Sequence, residues 1–145
     1  MISITVDGEK IEVEKDRTVL EVLKERGIDI PTLCYHPSLK PSGSCRLCAV
    51  EVVGRATGRK VTMLSCILKV KEGLEIKTSG ELVDRARVRA FRNLLQMAPQ
   101  SRRLTEMARA YGVDVGTPPD GCIRCRLCVR VCKEIVGAGA LKMEK

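Results

Sequence analysis

The chain has 145 residues, a mass of 16.0 kDa and a formal net charge of +8. That is the length of one ordinary domain or of two or three small ones. No apolar run approaches the roughly 18–20 residues of a membrane helix, and the start MISITVDGE lacks the basic and apolar regions of a secretory signal. The chain is therefore read as soluble and cytoplasmic, with no membrane span. Aromatic residues make up 2%, with no Trp and a single Phe, so few large side chains are available for packing. Eight cysteines in a reducing compartment point to metal or redox chemistry rather than disulfides.

Residues 2–6 (ISITV) and 9–14 (EKIEVE) alternate apolar and polar, and Asp7-Gly8 between them predicts a tight hairpin. Thr18 to Glu21 reads as a capping box opening a helix over 19–26, with Val19, Leu20, Val22 and Leu23 on its apolar side and Gly27 at its end. Pro31 starts an irregular stretch. Residues 49–53, 60–64 and 74–77 read as further strands. Thr78 to Glu81 reads as a second capping box, opening a helix over 80–97 with Leu82, Val83, Ala86, Ala90, Leu94 and Met97 near one face. A shorter helix over 101–111 closes at Gly112. Residues 112–121 read as a loop or linker, and 126–136 as a weak helical segment before Gly137-Ala-Gly139. A helix packed on a mixed sheet, followed by helices, makes the fold class α+β.

The cysteines fall into two groups of four. The first is Cys34-x10-Cys45-x2-Cys48-x17-Cys66. A cluster needs several thiolates converging from a loop that can wrap it, and Ser42, Gly43 and Ser44 leave room for backbone amides to approach sulfur. The segments PTLCYHPS (31–38) and GSCRLCAVEV (43–52) resemble the [2Fe-2S] ferredoxin domain that opens the large iron–sulfur subunit of respiratory complex I. The same module opens [FeFe]-hydrogenase catalytic subunits and NAD-linked formate dehydrogenases. The resemblance implies a β-grasp, ferredoxin-like domain over residues 1–78 with Cys34, Cys45, Cys48 and Cys66 as [2Fe-2S] ligands. Zinc is the alternative, although Cys66 lacks the near partner of a zinc knuckle. His36 is the only His, so a Rieske centre, which needs two, is excluded. It reads as a hydrogen-bonding loop residue.

In the resembling family, the helix after this domain leads to a cluster site of one His and three Cys. This chain has the flanking helices, RAFRNLLQ (89–96) and LTEMARAYGV (104–113), but joins them through APQSRR (98–103), without Cys or His. That cluster is expected to be absent, leaving residues 79–117 as a helical connector. The connector is basic, with Arg85, Arg87, Arg89, Arg92, Arg102, Arg103 and Arg109 reading as a solvated face. Two oxidised four-thiolate clusters of about −2 each would bring the net charge to roughly +4. Nucleic acid is not an expected partner: only Phe91 and Tyr111 could stack bases there, and no binding motif is seen.

The second group, Cys122-x2-Cys125-x2-Cys128-x3-Cys132, has the spacing of the bacterial ferredoxin run. The stretch CIRCRLCVRVCKEIVGAGAL (122–141) also resembles the segment that follows the mixed His and Cys site in the same family. A C-terminal iron–sulfur segment is therefore expected over 118–145. Its cofactor reads as a [4Fe-4S] cluster, with a second [2Fe-2S] as the alternative. Lys133 stands where the bacterial run usually has Pro, and no second Cys run follows before Lys145. Cys132 is accordingly read as the fourth ligand of its own cluster.

No catalytic site is visible. GRATGRK (54–60) has the wrong spacing for a phosphate loop, Gly137-Ala-Gly139 follows no strand, and Ser65 has no His base. The reading is an electron-transfer subunit carrying iron–sulfur clusters. The resemblance implies a hetero-oligomer with a flavin- and iron–sulfur-containing NAD(P)H-oxidising subunit and a further redox subunit. That further subunit would be a hydrogenase, a formate dehydrogenase or an electron-bifurcating ferredoxin-linked oxidoreductase. The short length favours a stand-alone small subunit. A free ferredoxin-like carrier and a zinc-stapled interaction module are the alternatives.

Overall fold

Ile2, Ile4 and Val6 are the inward-facing residues of β1 (Ile2–Val6), and the side-chain period of two carries the same face through Ile11 and Val13 of β2 (Glu9–Val13). Asp7 and Gly8 join the two strands at φ values of +49° and +88°. Two successive positive φ angles match the right-handed twist of an antiparallel pair. The computed structural model describes residues 1–113 and 122–143. The linker expected over 112–121 therefore lies, beyond Val113, outside the described residues.

The helix α1 (Val19–Glu25) begins at the expected capping box. The Thr18 amide donates to Glu21 Oε2 at 2.7 Å, and the Glu21 amide to Thr18 Oγ1 at 3.3 Å. Its end is also as expected, with Gly27 at a φ of +72° and its amide donating to Lys24 O. Three further strands follow: β3 (Ala49–Val53), β4 (Lys60–Leu64) and β5 (Glu75–Lys77). The sheet order is β2-β1-β5-β3-β4, with β1 and β5 parallel and the other pairs antiparallel. The sheet is mixed, as expected.

Val19, Leu20, Val22 and Leu23 of α1 pack with Ile4, Ile11, Val50 and Ile76 in a first core. Burying one such side chain is worth about 1.5–3 kcal/mol. A second core lies under α2 (Glu81–Met97) and α3 (Arg102–Ala110), where Phe91, Leu94, Leu104 and Ala108 meet Leu47 of the cysteine loop. Ser101 caps α3, its hydroxyl accepting from the Leu104 amide at 3.3 Å. The last helix is α4 (Leu127–Glu134).

Two sequence expectations for α2 are corrected. Its N-cap is Gly80, with no side-chain cap bond. Thr78 cannot serve as the box residue because both of its donors go to Asp7: the amide to Oδ1 at 2.8 Å and the hydroxyl to Oδ2 at 2.6 Å. The buried face consists of Val83, Arg87, Ala90, Phe91 and Leu94, while Met97 is exposed. Arg87 does not join the solvated basic face expected for it. Its guanidinium donates inward to Thr78 O at 2.9 Å and Ala49 O at 3.3 Å, so it pins α2 to β3.

Candidate metal centre

The four N-terminal cysteines are nearly inaccessible: Cys34 and Cys48 are 1% exposed, Cys66 2% and Cys45 4%. Separate elements bring them together. Cys34 and Cys45 lie in the loop after α1, Cys48 directly precedes β3, and Cys66 closely follows β4. They divide between the two cores, with Cys48 and Cys66 packed in the sheet core and Cys34 and Cys45 in the helical one. The thiols thus line the seam between the two packing units.

They are also arranged two by two. Cys34 and Cys45 share one core and Cys48 and Cys66 the other, and within each pair the two sulfurs compete for a proton. Hydrogen bonding from Cys45, against the opposing effect of burial, brings Cys34 down to about 5. The corresponding bond from Cys66 brings Cys48 down to about 7. Cys45 and Cys66 are pushed up, first by holding the shared proton and then by burial. One sulfur of each pair is therefore predisposed to be thiolate, the form in which sulfur binds a metal.

Backbone and hydroxyl groups converge on the same sulfurs. The Cys45 amide donates to Cys34 Sγ at 3.4 Å, and the Ser44 amide and Ser42 hydroxyl also act on Cys34. Gly43, between the two serines, has a φ of +65°. A Cβ there would overlap Ile67 Cδ1 beside Cys66, so a side chain at this position would have to displace Ile67. Ser65 is a supporting residue that the sequence reading missed. Its hydroxyl and its amide both donate to Cys48 O, at 2.7 and 3.0 Å, while its own carbonyl accepts the Leu20 amide of α1. His36 is exposed, and its Nδ1 accepts the Ser38 amide at 3.2 Å, the loop role expected of it.

Among the described residues, no three His, Cys, Asp or Glu side chains converge as ligands of a single ion. Four buried thiols in two pairs, supplied with N–H donors, form instead a donor set suited to a centre of two irons bridged by sulfide. The residues therefore fit an iron–sulfur centre.

The C-terminal cysteines lie nearer the surface, with Cys122 and Cys128 exposed and Cys125 and Cys132 half-buried. Two of their sulfurs accept backbone amides: Cys122 from Arg124 and Cys132 from Ala140, each at 3.3 Å. The second bond folds the Gly137–Gly139 break back onto Cys132. The tetrapeptide Cys-Arg-Leu-Cys occurs in both groups, at 45–48 and 125–128. In both its Arg is left-handed, with φ +58° at Arg46 and +61° at Arg126. A left-handed residue between cysteines turns successive amides toward one side. The repeated tetrapeptide was the available sequence signal for this shared turn.

A model described as "2Fe-2S iron-sulfur cluster binding domain" matches residues 1–81. The chain is 30% identical to the NADPH-Fe(3+) oxidoreductase subunit alpha of Geobacter sulfurreducens, over 99% of this chain and 20% of that protein. With the mitochondrial NADH dehydrogenase [ubiquinone] iron-sulfur protein 1 of Solanum tuberosum the identity is 32%, over 99% of this chain and 23% of that one. It is 31% identical to the NADH-ubiquinone oxidoreductase 75 kDa subunit of Reclinomonas americana, over 94% and 23%. The chain thus spans about a fifth of the length of the curated relatives it matches. It also superposes on a chain from the crystal structure of NAD+-reducing [NiFe]-hydrogenase in the H2-reduced state. That match has a TM-score of 0.78 and 30% identity, and covers 99% of this chain and 70% of the other. With its ferredoxin-like fold, buried thiol pairs and matched residues 1–81, the chain belongs to the 2Fe-2S iron-sulfur cluster binding family, among relatives that are subunits of NAD(P)H-linked oxidoreductases.

Proposed function

We propose that the chain is an electron-transfer subunit that conducts between an NAD(P)H-oxidising flavoprotein and a second redox subunit. That second subunit would be a hydrogenase, a formate dehydrogenase or an electron-bifurcating ferredoxin-linked oxidoreductase. In this reading Cys34, Cys45, Cys48 and Cys66 hold a [2Fe-2S] cluster. Cys122, Cys125, Cys128 and Cys132 hold a second cluster of the [4Fe-4S] type, for which [2Fe-2S] is the competing nuclearity. Residues 1–78, 79–117 and 118–145 act as cluster domain, helical connector and second cluster segment.

The observation that carries this reading is the buried, two-by-two arrangement of the N-terminal thiols at the seam of two cores. When bound, an iron–sulfur cluster takes up and releases one electron at a time without net bond making in the protein. The chain's own residues set the conditions. Burial of the four sulfurs lowers the local dielectric and excludes water. The amides of Cys45 and Ser44 and the hydroxyl of Ser42 direct positive dipole ends at Cys34, which favours the more negative state. Support comes also from the oxidoreductase subunits among the relatives. Among the described residues no helix is long and apolar enough to cross a membrane.

Anaerobic purification with iron, acid-labile sulfide and zinc quantified, followed by EPR of the reduced protein, tests the assignment. About six irons and two reduced signals are expected for one [2Fe-2S] and one [4Fe-4S] cluster, whereas about four irons would indicate two binuclear centres. Zinc without iron or sulfide in protein kept anaerobic throughout would overturn the reading. Gel filtration of native extract tests the partnership, since a subunit migrates far above its own 16.0 kDa.

A further inference from the structure

Arg130 sits on α4 between Cys128 and Cys132, yet its side chain leaves that segment. Nη1 donates to Lys40 O at 2.9 Å and Nη2 to Cys34 O at 2.5 Å, contacts that cross 90 and 96 residues of sequence. Both acceptors belong to the loop that begins at one N-terminal cysteine and leads to the next two. No carboxylate lies within ion-pair distance of this guanidinium among the described residues. Its Nε is buried without a hydrogen-bond partner. The residue as a whole is half-buried, so the guanidinium holds a positive charge without a carboxylate partner against the cysteine-bearing loop. From there the charge can act on the Cys34 carbonyl and on the loop that carries it.

We propose that Arg130 is a positioning residue linking the two cysteine groups. It clamps the Cys34–Lys40 loop to the C-terminal segment, and it raises the reduction potential of the N-terminal centre by holding a fixed positive charge at the Cys34 carbonyl. The inference rests on the assignment of Cys34, Cys45, Cys48 and Cys66 as cluster ligands. Its two components separate by chemistry. Lysine keeps the charge but cannot reach two carbonyls with a planar fork, whereas glutamine keeps some hydrogen bonding and removes the charge.

The test compares the full chain with Arg130→Gln, Arg130→Lys and, as a charge control, Lys133→Gln. Lys133 adjoins Cys132 but is exposed. Two quantities are read: the midpoint potential of the N-terminal cluster by EPR-monitored titration, and amide hydrogen exchange over residues 34–48. Arg130→Gln is expected to lower the potential by about a tenfold change in the reduced-to-oxidised ratio, about 59 mV for one electron, and to speed exchange in the loop. Arg130→Lys is expected to retain most of the potential while exchange still quickens. Lys133→Gln is expected to change neither quantity.

Wild-type values for both quantities in Arg130→Gln would overturn the proposal, as would an equal potential shift in Lys133→Gln. If Arg130→Gln fails to accumulate, Arg130→Lys decides: exchange at the wild-type rate overturns the clamp. Iron analysis of the wild type keeps the underlying assignment separate. Absence of iron from the N-terminal centre defeats that assignment, while absence from the C-terminal group leaves both readouts of the Arg130 test intact.

Discussion

The Arg87 guanidinium lies over the Tyr111 ring, 5.7 Å from its centroid, while Tyr111 itself packs against Phe91 at a ring separation of 5.3 Å. This stack joins α2 to the end of α3, directly behind the loop that carries Cys45 and Leu47. Burial pulls the Arg87 pKa below its ordinary value but leaves the side chain a cation. The same burial raises the Tyr111 phenol, and Arg87 opposes that rise.

Replacing Arg87 with Ala is expected to cost about 2–4 kcal/mol, because it removes a packed stem and deprives Ala49 O and Thr78 O of a donor. Arg87→Met restores the bulk and should recover part of that loss. Urea midpoints at unchanged m-value measure both. Equal stability of Arg87→Ala and the parent would show that α2 is held by its apolar contacts alone.

What the sequence made legible was decided by neighbours in the chain. The Asp7-Gly8 hairpin and the Thr18–Glu21 box depend on residues within four positions of one another, and both formed as read. The Thr78–Glu81 box failed because its competitor, Asp7, lies 71 residues away. The buried face of α2 was misplaced because Arg87 counts as polar in any periodicity while its aliphatic stem packs like an apolar side chain. Cysteine spacing revealed two groups of four. It could not reveal that the first group straddles two cores, or that Arg130 reaches across to it, since both follow from tertiary packing.

Asp7 ties the start of the sheet to the start of the connector through its two bonds to Thr78. It also holds a φ of +49°, a region Asn tolerates far better than Ala. Asp7→Ala is therefore expected to lose about 1–2 kcal/mol and Asp7→Asn about half of that, read as shifts in the urea midpoint. The same loss in both variants would mean that backbone conformation at this turn contributes nothing.

Gly43 faces two separable penalties if a side chain is added. A Cβ would overlap Ile67 Cδ1 and lie 3.1 Å from Leu64 Cδ1, and the φ of +65° is unfavourable for an L-residue. Ile67 is an exposed side chain that can turn aside, so the backbone penalty of about 1 kcal/mol should dominate. Gly43→Ala is expected to bleach its visible absorbance at lower temperature than the parent. Adding Ile67→Ala should restore only a minor part. Complete restoration by the double variant would locate the whole effect in the side-chain overlap.

Ala140 offers a way to address Cys132 without touching a thiol. Its amide donates to Cys132 Sγ at 3.3 Å from an exposed segment. If Cys132 is a ligand, this N–H dipole stabilises the more negative, reduced state of the C-terminal centre and raises its potential. Ala140→Pro deletes the donor and is expected to lower that potential, with the N-terminal signal titrating as before. Ala140→Gly keeps the donor and should behave as the parent does. An unshifted potential in Ala140→Pro at full iron content would remove Cys132 from the ligand set, and would direct the search for the fourth ligand elsewhere.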